Sequence, residues 1–497
     1  MNWRVWWVAI GVLTSSSAWA VGDAVPVAKQ SRKNVLLICI DDLRPVMGCY
    51  GGQAITPNID RFAKTAIRFD RHYVQWPVCG PSRCVLTGGV RPDRSGIYHN
   101  GQWSVIAQQP DRMPTLPLSF RRHGYTTLGF GKIYHGTGGA DGCGWSEKPT
   151  KSPTDWACYV DFPYQPKAKN KRESWRPAIE IFNGNEQAHT DFRNAEKALA
   201  AIQEHQDVPF FIAVGFYKPH LPLVAPKRSW ELYDDVDLAP LAPQQFPADA
   251  VDFMYNWGEI DSYGYSRVDE NDVEQRKMFS RSDRPDESQT LQLTKAYYAC
   301  VSYTDHHIGR LLEQLERLGL TDSTAVVIWG DHGFHLGDQN RWAKHTQFEG
   351  AMRSPLIVRF PGRQSLSGRH TDAIVETVDV YPTLVEYCGL DRPEHLQGES
   401  LMPLVSGDVD AIKHAAFGQI SPVGGDHQNT MAYTVRTKRY RYVQWRDQSQ
   451  RQRVLRHELY DYTDGLQETR NVVGQSQYKS VVSEHAKLIT DHFESLR

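Results

Sequence analysis

The sequence is poor in four features that define large classes of proteins. It has 8 cysteines among 497 residues, too few for a fold held together by disulfide bonds. Its charges nearly cancel, with 56 Lys and Arg against 58 Asp and Glu, which argues against nucleic-acid binding through a strong positive field. It contains no internal repeat or low-complexity tract. After the N-terminus, no apolar run approaches the roughly 18 residues that a membrane span needs. What remains is an ordinary globular composition.

The first 20 residues have the pattern of a cleavable export signal. Arg4 is their only charge, residues 5–13 form an uninterrupted apolar run, and residues 18–20 place alanines where a signal peptidase cuts. The run is too short to span a bilayer. We therefore expect residues 1–20 to be a signal peptide, and the mature protein to be secreted or periplasmic after cleavage near Ala20.

An exported protein meets oxidising conditions, which bears on its cysteines. Cys143 and Cys158 lie in a loop-like stretch and could form a disulfide. Cys39 and Cys300 lie in apolar surroundings. We expect both to be buried and reduced.

Four short apolar runs each end in charged or imidazole side chains. Such runs are typical of the buried strands of a parallel sheet. The runs and the polar residues after them are 34–40 with Asp41 and Asp42, 125–130 with Lys132 and His135, 209–214 with Lys218 and His220, and 324–329 with Asp331 and His332. In open α/β sheets, ligands bind beyond the carboxyl ends of the strands. The pattern therefore predicts one site built from these side chains.

Helical patterns lie between the strands. One helix is predicted to open at Thr56 and Pro57, with Thr56 as its N-cap and Pro57 at its first position. A second is predicted over 296–320, where apolar residues recur on one face. Strands that alternate with helices indicate an α/β fold with a mostly parallel sheet sandwiched by helices. Residues 265–290 are highly charged without periodicity, which predicts a solvated surface loop.

The pattern changes after about residue 405. Residues 432–436 and 440–445 alternate like half-exposed antiparallel strands, and 459–461 indicates a third strand before a final helix. We therefore expect a catalytic domain over 33–405. A small α+β subdomain, with an antiparallel sheet and a terminal helix, is expected over 412–497. No chemistry is predicted for this subdomain.

The string CGPSRCVLTG, residues 79–88, carries the strongest chemical signal. Pro81 suits the first turn of a helix, and the pair Gly88-Gly89 suits its end. Cys79 would then lie at a helix N-terminus, where free N–H groups favour an anion. Alone, Cys79 could be a structural or redox cysteine. The whole string resembles the type I sulfatase signature, which fixes Cys, Pro, Ser and Arg at its start and Thr and Gly at its end.

The resemblance to type I sulfatases implies an alkaline-phosphatase-like fold and a modified nucleophile. In that family a maturation enzyme oxidises the signature Cys to formylglycine, whose hydrate carries two geminal hydroxyls. One hydroxyl attacks sulfur and releases the alcohol; the other loses its proton and expels sulfate, which restores the aldehyde. Cys79 is therefore expected to be converted to formylglycine by a formylglycine-generating enzyme. Cys84 lies outside the modified position and is expected to be structural.

The carboxylates after two of the strands suit a hard cation. By itself, the pair Asp41-Asp42 could be a solvated turn. Together with Asp331 it supplies three carboxylates, and His332 can ligate through its imidazole or hydrogen-bond the site. One hydroxyl of the modified Cys79 would complete the set. Such ligands favour Ca²⁺ or Mg²⁺ over a thiolate-bound metal, and the resemblance implies one Ca²⁺ per chain.

Basic side chains are expected to complete the site. The resemblance implies that Arg83 fixes the modified nucleophile, that Lys132 binds sulfate, and that His135 supports the hydroxyl that eliminates it. His220 would be the general acid that protonates the leaving oxygen. Lys344 would bridge the sulfate and the leaving oxygen.

Longer strings at 41–51, 213–220 and 342–344 resemble the iduronate-2-sulfatase branch of the family. This implies an exo-acting enzyme that removes the 2-O-sulfate of a uronic acid at a glycan end. Three alternatives stay open: a sulfatase of another polysaccharide, such as an algal one; a phosphoester or phosphonate ester hydrolase of the same superfamily; and a sulfoglycan-binding protein in which Cys79 is never oxidised. None of these involves nucleic acid or a membrane span.

Overall fold

The computed structural model describes Met1 and most of the chain from Lys33 to Ser495. The described ranges are 33–136, 141–148, 157–162, 175–241, 243–251, 259–268, 274–362, 368–422, 429–450, 453–463, 465 and 467–495. Apart from Met1, the predicted export signal at 1–20 lies outside the described residues. Within those ranges, no helix has the length and apolar character needed to cross a membrane.

The described part of the chain contains both short and long strands. In chain order they are β1 (Asn34–Ile40), β2 (Ile67–Tyr73), β3 (Thr126–Gly131), β4 (Ile179–Phe182), β5 (Phe210–Phe216), β6 (Leu223–Pro226), β7 (Gly264–Val268), β8 (Glu274–Met278), β9 (Thr324–Gly330), β10 (His335–Leu336), β11 (Trp342–Ala343), β12 (Leu356–Arg359), β13 (His370–Glu376), β14 (Ala415–Ile420), β15 (Thr430–Thr437), β16 (Tyr440–Asp447) and β17 (Val454–Asp461).

The α-helices alternate with these strands through the first three quarters of the chain. They are α1 (Pro57–Ala63), α2 (Cys79–Gly88), α3 (Pro92–Ser95), α4 (Leu116–Arg122), α5 (Thr190–Glu204), α6 (Lys227–Glu231), α7 (Glu287–Arg317), α8 (Glu349–Met352), α9 (Val380–Tyr387), α10 (Met402–Ser406) and α11 (Lys479–Ser495).

A seven-stranded sheet forms the centre of the fold, in the order β13-β2-β12-β9-β1-β5-β3. Its pairings are parallel except that β12 runs antiparallel to both of its neighbours. This confirms the predicted mixed, mostly parallel sheet. Strand β1 lies between β9 and β5 and is buried along its whole length. That burial explains why its sequence is uniformly apolar rather than alternating.

Helices cover both faces of this sheet. Alternate residues of β1 point to opposite faces: Leu36 and Ile38 join one core and Val35 and Leu37 join the other. The first core is completed by residues of α1, α5 and α7. The second is completed by residues of α2, α4 and α9. Helix α2, which carries the signature string, is therefore packed as an interior element of the fold.

The predicted helices are present, but the start of one was wrong. Helix α7 begins at Glu287 rather than at 296, because Asp286 and Gln289 form a reciprocal capping box with bonds of 2.8 and 3.0 Å. Helix α1 begins at Pro57 with Thr56 at its N-cap position, as predicted, although the Thr56 side chain makes no capping bond to the helix. Its hydroxyl instead lies 3.2 Å from an oxygen of Asp60.

The prediction that residues 265–290 form an irregular loop was wrong. Strands β7 and β8 pair there as an antiparallel hairpin, and α7 begins before the segment ends. The described residues of β8 are all exposed, so the expectation of a solvated surface was right for that strand. Alternating charged residues on an exposed hairpin give no apolar face for a sequence pattern to reveal.

The C-terminal region forms a second sheet, antiparallel, in the order β14-β15-β16-β17. Three of its strands and the final helix α11 coincide with the predicted elements, whereas β14 had not been foreseen. The expectation that these strands are half-exposed was wrong for β15 and β16, which are buried along most of their length. These two strands are buried on both faces of the sheet. Helix α11 packs on one of the faces, where the ring centroids of Phe493 and Tyr433 are 4.5 Å apart.

Cys39 and Cys300 are buried and reduced, as expected. The possible disulfide between Cys143 and Cys158 is not formed within the described residues, and both side chains are buried thiols.

Candidate active site

The four strands predicted to end in polar residues are neighbours in the central sheet. Strands β9, β1, β5 and β3 run parallel side by side, so their carboxyl ends meet along one edge. The backbone continues this alignment past the strands, since Asp41 N–H donates to Phe216 (3.1 Å) and Asp331 N–H donates to Ile40 (3.2 Å). Side chains far apart in the sequence therefore converge at this edge.

The two aspartates after β1 point in different directions because Asp42 has a left-handed backbone, with φ of 61°. Aspartate tolerates this conformation better than most residues. The Asp42 N–H donates to Asp331 Oδ1 at 2.9 Å, and the Tyr297 hydroxyl donates to the Asp42 carbonyl at 2.6 Å. These bonds fix the turn, and all three aspartate side chains of the edge are fully buried.

Cys79 is the first residue of α2, and Gly89 ends the helix in a left-handed conformation, as the string predicted. The Cys79 side chain faces the strand ends. Its Sγ lies 3.3 Å from His332 Nε2, 3.3 Å from Lys344 Nζ and 3.8 Å from Asp42 Oδ1. The signature string and the strand-end residues thus form one buried cluster.

Arg83 lies one turn further along α2 and is also fully buried. Its Nε donates to Asp331 at 2.9 Å, and its NH2 group lies 3.3 Å from Asp41. Lys132, after β3, contacts the other oxygen of Asp41. Its NH1 group contacts the carbonyls of Lys132 and Ile133. Arg83 therefore joins two carboxylates of the cluster to the turn after β3.

Lys344 comes from the short hairpin β10–β11 and reaches Asp42 at 2.7 Å. Residues on either side of it, Ala343 and His345, have positive φ values of 63° and 73°. Such conformations persist only where the surroundings hold them. The loop is fastened by His335, which bonds Asp338 at 3.0 Å and Thr346 at 2.8 Å.

Glu259 is a member of the cluster that the sequence analysis missed. Its carboxylate lies 3.2 Å from Lys344 Nζ and 3.5 Å from His220 Nε2. It begins a short 3₁₀ turn, Glu259–Ser262, and no apolar run or motif in the sequence pointed to it. Only the three-dimensional arrangement identifies it.

His220 and His135 differ in how deeply they are buried. His220 is buried after β5, and its Nδ1 contacts the Leu221 carbonyl, so Nε2 is directed towards the cluster. His135 is half-buried in the turn that follows β3. Its expected role in sulfate elimination stays a prediction.

Burial dominates the electrostatics of the carboxylates. It raises the pKa of Asp42 to about 6 and that of Asp331 to about 7, although Lys344 lowers the first and Arg83 lowers the second. Burial also acts on Asp41, but there Lys132, His220 and Arg83 prevail, and its pKa lies well below the usual value. The site therefore contains ionisable oxygens whose charge is not fully compensated by the protein.

Cys79 lies among these groups as a protonated thiol. Burial, and then the charge of Asp41, raise its pKa well above the usual value. A cysteine nucleophile needs the opposite shift, since the thiolate is the reactive form. The unmodified side chain is therefore poorly suited to nucleophilic catalysis.

The cluster has the composition of a cation site. Two overlapping groups have ligand atoms within 4.8 Å of one another: Asp41, Cys79, Asp331 and His332, and Asp41, Asp42, Cys79 and His220. Within the described part of the chain, the buried Asp42 Oδ2 has no hydrogen-bond partner, which is costly unless a cation or donor satisfies it. These residues therefore fit a divalent cation that prefers oxygen ligands.

Comparisons with known proteins agree with this geometry. The Sulfatase family model matches residues 33–390, and a model described as N-sulphoglucosamine sulphohydrolase, C-terminal, matches residues 337–494. Iduronate 2-sulfatase of Homo sapiens is 29% identical over 471 residues, which cover 86% of this chain and 82% of that protein.

Two solved structures share the fold. The phosphonate monoester hydrolase from Silicibacter pomeroyi superposes with a TM-score of 0.73 at 22% identity, covering 94% of this chain and 96% of the other. A protein solved in complex with its substrate D-glucosamine-2-N,6-O-disulfate gives a TM-score of 0.68 at 22% identity, covering 94% and 98%. The match of the family model over most of the chain shows that it belongs to the sulfatase family and is a sulfatase.

Proposed function

We propose that this sulfatase removes the 2-O-sulfate of a uronic acid at the end of a glycan chain, with formylglycine at position 79 and a bound Ca²⁺. The observation that carries the proposal is the surroundings of Cys79 Sγ. Lys344, His332 and Asp42 all lie within 3.8 Å of it, in a buried cluster at the carboxyl edge of the sheet.

Residue 79 is the proposed nucleophile after conversion by a formylglycine-generating enzyme. A hydrated aldehyde supplies two geminal hydroxyls, one to attack sulfur and one to expel sulfate afterwards, which a single thiol cannot do. Its place at the start of α2 directs backbone N–H groups towards the bound anion. The helix is buried at every residue, so the nucleophile is held in a fixed direction.

Asp41, Asp42, Asp331 and His332 would hold the cation, together with an oxygen of the modified residue 79. Ca²⁺ bound there would offset the negative charge of the sulfate ester and of its attacking oxygen. Arg83 supports this arrangement because it bonds Asp331 and Asp41 from the side of α2. The proposal of Ca²⁺ rests on the oxygen-rich ligands and on the family resemblance.

Lys344 and His220 are the proposed partners of the leaving oxygen. Burial and the charge of Lys344 lower the pKa of His220 to about 3, so the ring is neutral in the resting site. An anionic ester that enters the site would favour the protonated ring. His220 would then donate its proton to the leaving oxygen, while Lys344 Nζ binds the sulfate beside it.

Lys132 and His135 are the proposed partners of the sulfate group in its second half-reaction. Lys132 lies against Asp41 and is nearly buried, so its ammonium faces the cluster rather than solvent. His135 would accept the proton of the second hydroxyl as sulfate leaves. The full set of proposed catalytic residues is then Cys79, Arg83, Lys132, His135, His220 and Lys344.

The uronic acid substrate is supported by two observations. The strings at 41–51, 213–220 and 342–344 resemble iduronate-2-sulfatases, and the human enzyme of that name aligns with 86% of this chain. The export pattern of residues 1–20 places the protein where such polysaccharides would be met.

The test is sulfate release by protein produced together with a formylglycine-generating enzyme. The substrates are a 2-O-sulfated uronate disaccharide, a 6-O-sulfated hexosamine, sulfated algal oligosaccharides and an aryl sulfate with its phosphate analogue. The proposal expects release from the uronate disaccharide and the aryl sulfate. Release from algal sugars but not from the uronate would overturn the substrate, and hydrolysis of the aryl phosphate in preference to the sulfate would overturn the reaction.

A further inference from the structure

Glu259 differs from the other carboxylates of the cluster in its position. The side chains of Asp41, Asp42 and Asp331 have no exposure, whereas the Glu259 side chain is 25% exposed. It therefore lies at the open side of the cluster, where a substrate would enter. None of the roles proposed above uses it.

The turn that carries Glu259 is well anchored. Ile260 and Tyr263 are fully buried, and the Arg176 guanidinium stacks over the Tyr263 ring at 4.3 Å. An anchored turn holds its first side chain in a defined direction. The position of the backbone, rather than the rotamer of a surface side chain, therefore brings the Glu259 carboxylate to the cluster.

The Glu259 carboxylate is ionised. Its burial alone would raise its pKa, but Lys344, His220 and His345 lower the pKa below its usual value. One oxygen lies 3.2 Å from Lys344 Nζ and the other 3.5 Å from His220 Nε2. Lys344 already has Asp42 at 2.7 Å, so neutralising this lysine does not require a second carboxylate.

Lys344 and His220 are the two groups assigned to the leaving oxygen, and the inference rests on that proposed function. An oxygen bound by both would come close to the Glu259 carboxylate, and two oxygens rich in negative charge repel each other unless a hydrogen lies between them. A simple aryl ester supplies no such hydrogen. A hydroxyl on the carbon next to the sulfated carbon does supply it.

We propose that Glu259 is a specificity-determining residue, which accepts a hydrogen bond from the hydroxyl adjacent to the sulfate ester of a sugar. The leaving oxygen then takes its proton from His220 while the neighbouring hydroxyl is held by Glu259. The substrate class that follows is a sugar sulfate with a free vicinal hydroxyl.

The test uses two ester pairs that differ only in this hydroxyl: a 2-O-sulfated uronate disaccharide with its 3-deoxy analogue, and trans-2-hydroxycyclohexyl sulfate with cyclohexyl sulfate. We expect Glu259→Gln to lower kcat/KM for the hydroxylated esters by about 10- to 100-fold. For the deoxy partners and an aryl sulfate, the change should stay below about threefold. Asp261→Asn, an exposed change in the same turn, is the matched control and should leave all substrates unaffected.

Three outcomes would overturn the inference. One is an equal loss on hydroxylated and deoxy esters, which would make Glu259 a support for Lys344 and His220. The second is no loss on any ester, and the third is a wild-type preference below threefold for the hydroxylated member of each pair. The proposed function fails separately, if wild-type protein with formylglycine at position 79 releases no sulfate from any ester, including the aryl sulfate.

Discussion

The fold contains two buried clusters, each of which includes both acidic and basic side chains. The carboxylate oxygens of the two clusters differ in how completely they are hydrogen-bonded. The active-site cluster consists of Asp41, Asp42, Asp331, Arg83, Lys132 and Lys344. The C-terminal cluster consists of Glu349, Glu468, Arg436 and Arg441, and it joins the loop after Lys344 to the second sheet. Both exclude solvent almost completely.

In the C-terminal cluster every carboxylate oxygen has a donor. Glu468 accepts from Arg441 Nε at 2.9 Å, from the Glu349 N–H at 2.9 Å and from Gln339 at 3.3 Å. Glu349 accepts from the Tyr73 hydroxyl at 2.8 Å and from Arg436 and Arg441. Its carboxylates are therefore satisfied, although Arg436 NH2 and Arg441 NH1 have no hydrogen-bond partner among the described residues. A network of this kind is suited to fixing one packing arrangement.

In the active-site cluster one carboxylate oxygen is not satisfied, because the described residues supply no partner to the buried Asp42 Oδ2. The pKa shifts do not separate the two clusters, since burial raises the pKa of Asp331 and that of Glu468 alike to about 7. The comparison teaches that a buried cluster of charges in which an acceptor has no hydrogen-bond donor is the one to examine for a ligand. A cluster whose carboxylates all have donors is more simply explained by a role in stability.

The largest expected effect in this comparison is that of Cys79→Ala. It removes the proposed nucleophile, so sulfate release should fall by about 10⁴-fold or more. The melting temperature should stay within a few degrees of the wild type, because a small buried thiol is replaced by a smaller apolar side chain. Calorimetry and sulfate release measured on the same preparation test both parts. Activity above one tenth of the wild type would remove Cys79 from the mechanism.

Asp331→Asn should distinguish most clearly between the roles of the two clusters in activity and in stability. It keeps the shape of the side chain but removes a proposed cation ligand, and we expect kcat to fall by about 10²–10³-fold. The loss of stability should be smaller than in Glu349→Gln, because burial raises the pKa of Asp331 to about 7 and Arg83 keeps its contact with Asp41, whereas the pKa of Glu349 is lowered to about 2. The comparison variant is Glu349→Gln, which should lose stability and retain most of its activity. The opposite assignment of effects would contradict our distinction between the clusters.

Arg441→Met tests the C-terminal cluster directly. Among the described residues it leaves Glu468 without an arginine partner, and removing one partner of a buried pair costs about 3–5 kcal/mol of unfolding free energy. Urea denaturation would show this as a lower midpoint with an unchanged slope. Arg439→Met is the matched control, since Arg439 is 54% exposed beside Asp461. It should cost far less than Arg441→Met, because an exposed ion pair contributes little to stability. Equal losses for the two variants would show that the cluster carries no special stability.

Removal of the proposed Ca²⁺ should lower stability by less than Arg441→Met does, and it should act only on the active-site cluster. With free Ca²⁺ at 100 times its dissociation constant, binding to the folded state adds about 2.7 kcal/mol. A chelator should abolish this increment in the wild type and in Arg441→Met. In Asp331→Asn the addition of Ca²⁺ should raise stability very little. An increment of the same size in Asp331→Asn would place the ion elsewhere.

Four members of the active-site cluster could be predicted from the sequence because they follow strands of the central sheet: Asp41, Asp42, Lys132 and Asp331. Arg83 was found through the signature string and Lys344 through the family resemblance. An uninterrupted apolar run such as 34–40 ends abruptly at Asp41, and parallel strands bring such ends together. The order of the strands could not be predicted, nor could the antiparallel direction of β12. Both depend on which elements pair after long chain separations.

The C-terminal cluster and Glu259 could not be predicted for different reasons. Arg436 and Arg441 lie within alternating strands, where a charged residue normally indicates a solvent-facing side. Here α11 and the catalytic domain cover both faces, so the same pattern accompanies burial. Glu259 lies in a 3₁₀ turn with no periodic neighbours, and its contacts to Lys344 and His220 arise only from tertiary structure.

The central claim is that the cluster around position 79 hydrolyses a sulfate ester through a modified cysteine. The most direct measurement is the rate of sulfate release from an aryl sulfate as a function of the fraction of residue 79 converted, with that fraction read from peptide mass. Samples of graded conversion are obtained by varying co-production of the formylglycine-generating enzyme. Our account predicts a rate proportional to the converted fraction and no release from fully unconverted protein. Release that does not depend on conversion, or none at full conversion, would contradict it.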